Sequence, residues 1–375
     1  MRLLLLVSLM LAGAAPAAAQ VSALPDSILL AHPDLAKGVV PFARYITSES
    51  TLSPRHRELL ILRTAWLCRS DYHWAHYAPV ARQAGFTNAD LRRIALGPDE
   101  PGWDGFEAVL LRMADELHTS SFVIESTWAA LTRRYDTHQA MDAVFTVAEF
   151  TMLAGTVNSL RVPLDKALAD RLPADVPHRV TVVKTDERLT GKTARIDALD
   201  PAQWTPEIRA MLDPGGSGRA VAAVYRTYAQ HPKMYAPRQL LSEYIRLQAT
   251  LDPRTRELLI MRIGWLCRSE YEWGAHAPAG RRAGMSDADV QHVMAGPQPG
   301  GDSADEVLLR AVDELYADDV IAESTWKALA ARLNAKQLLD VLITTGGYRM
   351  VSMSLNTFGV QLEPNGERFP AAASR

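Results

Sequence analysis

The stretch that decides the fold is LDPRTRELLIMRIGWLCRSEYEWGAHAPAGRRAG, from Leu251 to Gly284. It is a second version of LSPRHRELLILRTAWLCRSDYHWAHYAPVARQAG, from Leu52 to Gly85, with 21 of the 34 positions identical. The similarity continues downstream, where ESTWAAL at Glu125 returns as ESTWKAL. Agreement over this length indicates an internal duplication. Because its offset of 199 residues is far above the period of stacked solenoid repeats, we predict two domains rather than a repeat array.

Each copy is predicted to be helical. The segments Arg57–Leu67 and Arg256–Leu266 are apolar nearly all round, a pattern typical of buried helices. The segments Trp74–Ala84 and Trp273–Ala283 are amphipathic. Strand signals are nearly absent, with one short candidate strand at Val180–Val183. We therefore predict an all-α fold that consists of two helical domains in tandem.

The first residues have the three parts of a secretory signal peptide. Arg2 supplies the positive charge, Leu3–Leu11 the apolar core and Ala17–Ala19 the small residues of the cleavage site. We predict that residues 1–19 are removed and that the mature protein is periplasmic or secreted, with an uncleaved anchor as the alternative. No later stretch reaches the roughly 18 apolar residues that a membrane span needs. No membrane partner is therefore expected after cleavage.

A polar stretch punctuated by prolines separates the two copies. We assign residues 21–170 to the first domain, 171–195 to a linker and 196–365 to the second domain.

The composition argues against several classes of partner. The net charge is −3 and the sequence pI is about 6.4, so there is no basic excess to bind a nucleic acid or an anionic membrane. Only two cysteines are present, too few for a disulfide scaffold. Cys68 and Cys267 follow apolar helices at equivalent positions, and we expect buried thiols, with a reactive thiol or a bridge between the copies as alternatives. A small molecule is the expected partner.

The segment Cys267–His276 joins two predicted helices and concentrates acid–base side chains. Ser269 and Glu272 fit the S-x-x-E capping box, so a new helix is predicted to begin at Ser269. Glu272 and His276 are then four residues apart on one face of that helix. Glu257 would lie about 22 Å from Glu272 along one straight helix, but a chain reversal at the break brings it back. Two carboxylates and an imidazole at one point form a proton-transfer set.

Structural roles are the alternative for these three residues. Glu272 can be only a capping residue, His276 can pair only with Glu272, and Glu257 can belong to a salt bridge with a neighbouring arginine. The candidates for substrate binding are two arginines, either of which could hold a carboxylate, and a tryptophan that otherwise belongs to the core: Arg262, Arg268 and Trp273.

The equivalent segment of the first copy has different side chains. Glu58 matches Glu257, but His73 and Tyr77 stand where the second copy has its later glutamate and its histidine, with His76 just before. Glu58, His73, His76 and Tyr77 are therefore a second candidate site, altered or lost. His73 and His76 have the H-x-x-H spacing, a weak metal signal without further ligands. We expect no metal and no cofactor.

The run RELLIMRIGWLCRSEYEWGAHAPAGRRAG, with the later DELYADDVIAESTW and YRMVSMSLNTFGVQLE, resembles the carboxymuconolactone decarboxylase family, whose fold is shared by the alkylhydroperoxidase AhpD. The resemblance covers nearly all of the chain after the signal peptide, in two copies. It implies an all-helical domain that assembles into trimers or hexamers of domains, so we expect a homo-oligomer. It also implies an acid–base site in which Glu257, Glu272 and His276 are catalytic.

The sequence is compatible with three functions. We predict an exported enzyme of the lyase or isomerase type that uses glutamate and histidine on a small organic acid or lactone. The first alternative is an AhpD-like hydroperoxidase, but the C-x-x-C pair of that branch is replaced here by Ser269 and Glu272. The second alternative is a non-catalytic binding protein, because the first copy indicates that the fold persists when the site is altered.

Overall fold

The computed structural model describes residues 24–178 and 194–370. Within these ranges the chain forms helices and no strands, so the prediction of an all-α fold is confirmed. The predicted signal peptide and the candidate strand at Val180–Val183 lie outside the described residues.

Corresponding helices follow one another in the two copies. The helices before the linker are α1 (Asp26–Ala31), α2 (Pro33–Arg44), α3 (Pro54–Leu67), α4 (Asp71–Gln83), α5 (Asn88–Leu96), α6 (Gly105–Ser120), α7 (Glu125–Thr132) and α8 (Thr137–Ser159). Those after it are α9 (Pro206–Leu212), α10 (Ala223–Tyr228), α11 (Pro232–Glu243), α12 (Pro253–Leu266), α13 (Glu270–Arg282), α14 (Asp287–Ala295), α15 (Ala304–Asp318), α16 (Glu323–Ala330) and α17 (Ala335–Phe358). A π-helical turn follows α2 at Tyr45–Glu49 and α11 at Tyr244–Gln248.

The two longest helices, α8 and α17, pack against each other at the centre of the molecule. Gly346 on α17 permits the close approach, because a Cβ atom there would lie 2.5 Å from Cγ of Met152 on α8. One hydrophobic cluster runs from the first copy into the second, and the rings of Phe145 and Phe358 meet within it at 5.9 Å. The two copies therefore share a core.

The break between α12 and α13 prepares the site. Arg268 adopts the left-handed conformation with φ 53°, and the backbone N–H of Ser269 donates to the carbonyl of Gly264 at 2.8 Å. This is the Schellman pattern that closes many helices. It reverses the chain, so that α13 packs back along α12. The first copy repeats the turn between α3 and α4, where Arg69 has φ 51°.

In each copy, a buried arginine connects neighbouring helices through hydrogen bonds. Arg262 on α12 donates through Nε and Nη2 to the carboxylate of Asp313 on α15, at 2.6 and 2.7 Å. Its Nη1 donates to two backbone carbonyls of α14. Arg63 and Asp115 form the equivalent two-bond salt bridge in the first copy. Arg262 thus holds three helices together, which corrects the expectation that it holds a substrate carboxylate.

Among the described residues, α8 is the one helix whose length and composition would allow it to cross a membrane. Its most apolar 18-residue window is completely buried inside the fold. In this structure those side chains form the core between the copies.

Candidate active site

His276 on α13 and Glu257 on α12 meet across the helix break. Nδ1 of His276 and Oε2 of Glu257 lie 2.7 Å apart. When Glu257 is ionised its carboxylate only accepts hydrogen bonds, so Nδ1 is then the donor and carries a proton. The bond orients the ring and leaves Nε2 as the nitrogen that can take up or release a proton.

Glu272 faces the other edge of the imidazole. Its Oε2 lies 3.4 Å from Nε2 of His276, one helical turn away. This is a charge contact without hydrogen-bond alignment, and Oε2 has no hydrogen-bond partner in the described structure. Ser269 stands at the N-cap of α13, but its hydroxyl caps no backbone N–H. The capping box predicted from S-x-x-E is therefore not formed, and Glu272 approaches His276 instead.

Burial and charge act in opposite directions on the imidazole. Burial lowers the pKa of His276, but the hydrogen bond to Glu257 and the charges of Glu272 and Glu257 outweigh it, so the pKa is raised above the ordinary value. Burial also raises the pKa of Glu272, and His276 and Arg238 offset part of that rise. The group can therefore hold a proton near neutral pH.

A cavity of about 140 Å³ opens beside Glu272 and His276. Glu257 is not part of its wall and acts from behind the imidazole. The polar side chains that line the cavity are Tyr225, Arg238, Ser242, Tyr271, Glu272, His276 and Tyr348.

Arg238 on α11 is the cationic side chain of this wall. It is only 3% exposed, and no carboxylate of the described residues forms a salt bridge with it. Its Nη1 donates to Ser242 Oγ at 2.7 Å, its guanidinium lies 5.1 Å from the ring of Tyr228, and its Nε has no hydrogen-bond partner. A buried cation without a counter-ion is costly unless an anion joins it. Arg238 therefore places a buried positive charge without a salt bridge in the same wall as Glu272.

Tyr348 on α17 packs edge-on against His276, with ring centroids 5.0 Å apart. Burial, with the charges of Glu272 and Glu257, raises the pKa of Tyr348 well above its usual range. Its hydroxyl stays neutral at neutral pH and can donate a hydrogen bond into the cavity.

The other two predicted substrate-binding residues do not line the cavity. Trp273 is fully buried, with its ring 5.4 Å from Trp265 and 5.5 Å from Phe369, so it is a core residue. Arg268 is exposed at the helix break and is absent from the cavity wall. With Arg262 engaged in its salt bridge, none of the three has the position that we expected.

The first copy keeps the shape of this site but changes its chemistry. Tyr77 and Phe150 stand where the second copy has His276 and Tyr348, and their rings meet edge-to-face at 5.0 Å. His73 is completely buried, and its Nδ1 lies 2.9 Å from the hydroxyl of Ser70. A phenol thus replaces the imidazole at the point where a proton would be exchanged.

Glu58 and His76 complete the second candidate site. Glu58 accepts a hydrogen bond from Nε of Arg57 at 3.0 Å, and burial raises its pKa to about 7. His76 bonds to the backbone carbonyl of Tyr72, 2.7 Å from its Nδ1. His73 and His76 thus bond to different groups, and neither belongs to a cluster of three metal-binding side chains among the described residues.

Glu149 on α8 is a buried carboxyl that the sequence reasoning missed. It is 0% exposed, and neither carboxyl oxygen has a hydrogen-bond partner. Burial raises its pKa to about 8, and the charge of Arg238 offsets only part of this rise. Glu149 is therefore mostly protonated at neutral pH and leaves the charge of Arg238 available.

Both cysteines are free and buried, as expected. Neither belongs to the cavity wall. Burial raises the pKa of Cys267, so little of it is present as the reactive thiolate. Ser269 and Glu272 stand where a hydroperoxidase would have its cysteine pair, and neither can form a disulfide.

The residues missed from the sequence are Arg238, Tyr348 and Glu149. For two of these residues, a difference between the two copies outside the segment Leu251–Gly284 could have indicated their role. When the two copies are aligned, Arg238 corresponds to Val39 of the first copy, and Glu149 corresponds to Gly347 of the second. An ionisable residue where the other copy has valine or glycine in otherwise similar buried helices indicates a local function, because burying a polar group without hydrogen-bond partners costs stability.

Comparison with known families gives two matches. The family model described as carboxymuconolactone decarboxylase family matches residues 33–116 and 232–314. The second match includes Arg238, Glu257, Glu272 and His276. Comparison with curated proteins and with solved structures gives no match. The chain is therefore a tandem-duplicated member of the carboxymuconolactone decarboxylase family.

Proposed function

We propose that the second copy is an acid–base enzyme, a lyase or isomerase, that acts on a small organic acid or lactone. The family includes decarboxylases as well as AhpD-like peroxidases, so membership alone leaves the reaction open. The observation that carries the proposal is the convergence of Glu257, Glu272 and His276 on one side of a cavity whose wall contains the unpaired Arg238.

His276 is the proton carrier in this proposal. Glu257 holds Nδ1 and stabilises the imidazolium, so Nε2 is free to exchange a proton with a bound molecule. The raised pKa of His276 keeps part of the imidazole protonated at neutral pH, which suits the delivery of a proton to carbon. Glu272 adds negative charge beside Nε2 and, after it takes up a proton from solvent, passes that proton to the neutral imidazole to reset it.

Arg238 binds a carboxylate or lactone oxygen that stays with the substrate. In a decarboxylation, the bond between carbon and the departing carboxylate breaks and carbon dioxide leaves. The electron pair remains on the substrate as an enolate, and His276 gives its proton to that carbon. In an isomerisation, the same imidazole removes a proton from one carbon and returns one to another. The cation of Arg238 stabilises the enolate in both cases.

Peroxide reduction is less consistent with this site. Cys267 is buried outside the cavity, burial raises its pKa, and no second cysteine stands three residues away. Peroxide-dependent turnover that is lost in Cys267→Ser would favour the peroxidase and contradict the acid–base proposal.

The proposal is tested with a panel of lactone carboxylic acids and unsaturated or β-keto acids in deuterated water. Proton NMR follows both the loss of the carboxyl group and the incorporation of deuterium at carbon. We expect the wild-type protein to act on a member of the panel, and His276→Ala or Glu257→Gln to lower the rate by about 10² or more. Equal rates in wild type and His276→Ala would refute the assignment.

We also propose that the protein is exported and assembles with copies of itself. The predicted signal peptide supports export, and N-terminal sequencing of protein recovered outside the cytoplasm would test it. Leu30 and Leu247 are 82% and 70% exposed, and association of copies would cover such side chains. Light scattering on the purified protein would measure the mass, and a mass equal to one chain would contradict assembly.

A further inference from the structure

Three side chains with metal-binding atoms meet between the two copies, outside the wall of the proposed active site. Cys68 follows the last residue of α3, His118 lies in the last turn of α6, and Asp319 follows α15. Their Sγ, imidazole nitrogen and carboxylate oxygen all lie within 4.8 Å of one another. Cys68 and His118 belong to the first copy and Asp319 to the second.

The spacing is close to that of a metal site. Nε2 of His118 and Oδ2 of Asp319 lie 2.7 Å apart. Zinc binds nitrogen and oxygen at about 2.0–2.2 Å and sulfur at about 2.3 Å in a tetrahedron, which puts neighbouring ligand atoms somewhat more than 3 Å apart. An ion therefore requires the imidazole and the carboxylate, now hydrogen-bonded to each other, to move slightly apart, with the thiol already within 4.8 Å of both. Nδ1 of His118 is buried without a hydrogen-bond partner, so no second bond holds the ring in place.

A site with three protein ligands needs contacts that orient those ligands and solvent that can provide the fourth ligand. Arg349 donates to Oδ1 of Asp319 at 2.7 Å, which orients the carboxylate with Oδ2 toward His118. Second-shell contacts of this kind hold metal ligands in position. A cavity of about 320 Å³ is lined by His118 and Asp319, with Arg69 and His178 also in its wall. Its solvent can provide the fourth ligand.

The second copy provides a natural comparison. Cys267 is equivalent to Cys68, but Tyr316 stands at the position of His118 and Ser121 at the position of Asp319. The duplication therefore places a sulfur, nitrogen and oxygen set around one cysteine and not around the other. This difference makes Cys267 a matched control.

We propose that Cys68, His118 and Asp319 bind one divalent ion of the zinc type between the two copies. Thiolate, imidazole and carboxylate together select borderline transition metals over magnesium or calcium. Because the ligands come from both copies, the ion would hold α3 and α6 against the end of α15 and stabilise the folded chain. The site is separate from the cavity of His276, so it does not depend on the proposed function.

Cobalt(II) is the probe, because its bond to a thiolate produces a charge-transfer absorption that nitrogen and oxygen ligands do not. The full-length protein is treated with a chelator, dialysed and titrated with cobalt chloride. We expect this absorption to saturate at one ion per chain and to disappear when zinc is added. Cys68→Ser should lose the absorption, and Cys267→Ser should keep it.

Thermal unfolding provides the second readout. Zinc should raise the unfolding temperature of the wild type and of Cys267→Ser, but not that of Cys68→Ser or His118→Gln. The proposal is overturned if the wild-type protein gives no thiolate absorption with cobalt. It is equally overturned if Cys68→Ser binds cobalt with the same spectrum as the wild type. Neither result would bear on turnover by His276, which is measured separately.

Discussion

Glu149→Gln tests whether the carboxyl beside Arg238 is neutral. Burial raises the pKa of Glu149 from 4.5 to about 8. Below pH 4.5 this carboxyl is protonated in both the folded and the unfolded chain. As the pH rises, the unfolded chain releases its proton first and therefore binds fewer protons, so the free energy of unfolding falls until the folded pKa is reached.

The size of the effect follows from the two pKa values. A pKa difference of one corresponds to about 1.4 kcal/mol, so Glu149 removes about 4–5 kcal/mol of stability between pH 4.5 and pH 8. Glutamine has nearly the same shape and does not ionise. Its buried amide costs about 1–3 kcal/mol if it finds no partner, but this cost is the same at every pH. The difference between variant and wild type should therefore grow in favour of the variant as the pH rises.

Urea unfolding at a series of pH values from about 5 to 8 measures this difference. Glu100→Gln is the control, because Glu100 is exposed and its variant should run parallel to the wild type. A constant difference between Glu149→Gln and wild type across the series would refute the reasoning. It would mean that Glu149 is ionised in the folded protein and neutralises Arg238, which would then not be available to a substrate.

Three further substitutions have distinct expected outcomes. Arg238→Met should weaken the binding of small carboxylates, seen by calorimetry as a loss of 1.5–3 kcal/mol, roughly tenfold to a hundredfold, as expected for a charged hydrogen bond; unchanged binding would contradict the role of this arginine. Arg262→Ala should lower the free energy of unfolding by about 3–5 kcal/mol, because Asp313 would remain as a partly buried unpaired charge. A loss under 1 kcal/mol in urea unfolding would show that the Arg262–Asp313 salt bridge does not stabilise the fold. Gly346→Ala should cost about 1–3 kcal/mol in the same assay, since its Cβ would press on Met152; no loss would show that α8 and α17 adjust freely.

Local chemistry explains why much of the fold was predictable. Apolar residues at helical spacing predict α3 and α12. The sequence also predicts the break before Ser269, although the capping box on which that prediction rests is not formed. The same break brings Glu257 to His276, because a chain that reverses over a short turn must place the two helices side by side. These inferences need only residues that are close in the sequence.

The errors arise where distant residues decide the outcome. Arg262 points from α12 toward α14 and α15, and its partner Asp313 lies 51 residues further along the chain. Trp273 is adjacent to Glu272, yet neighbouring residues of a helix point in different directions, and Trp273 turns into the core. Ser269 and Glu272 match a capping box by spacing, but His276 competes for the carboxylate. Spacing alone does not show which partner is nearer.

Arg238 was missed for the same reason. It belongs to α11, before the motif, and reaches the cavity only because α11 packs beside the site. Tyr348 arrives from α17, after more than 70 further residues. Both residues show that the second copy's site is assembled from helices that the motif does not contain.

The central claim is that the second copy transfers protons at His276 and that the first copy does not at Tyr77. The most direct measurement is deuterium incorporation from solvent into a turned-over carboxylic acid, compared between His276→Ala and Tyr77→Phe. These substitutions change equivalent positions of the two copies. We predict that His276→Ala lowers the rate of incorporation by about 10² or more and that Tyr77→Phe leaves it near the wild-type value. Loss of incorporation in Tyr77→Phe with a normal rate in His276→Ala would contradict the account.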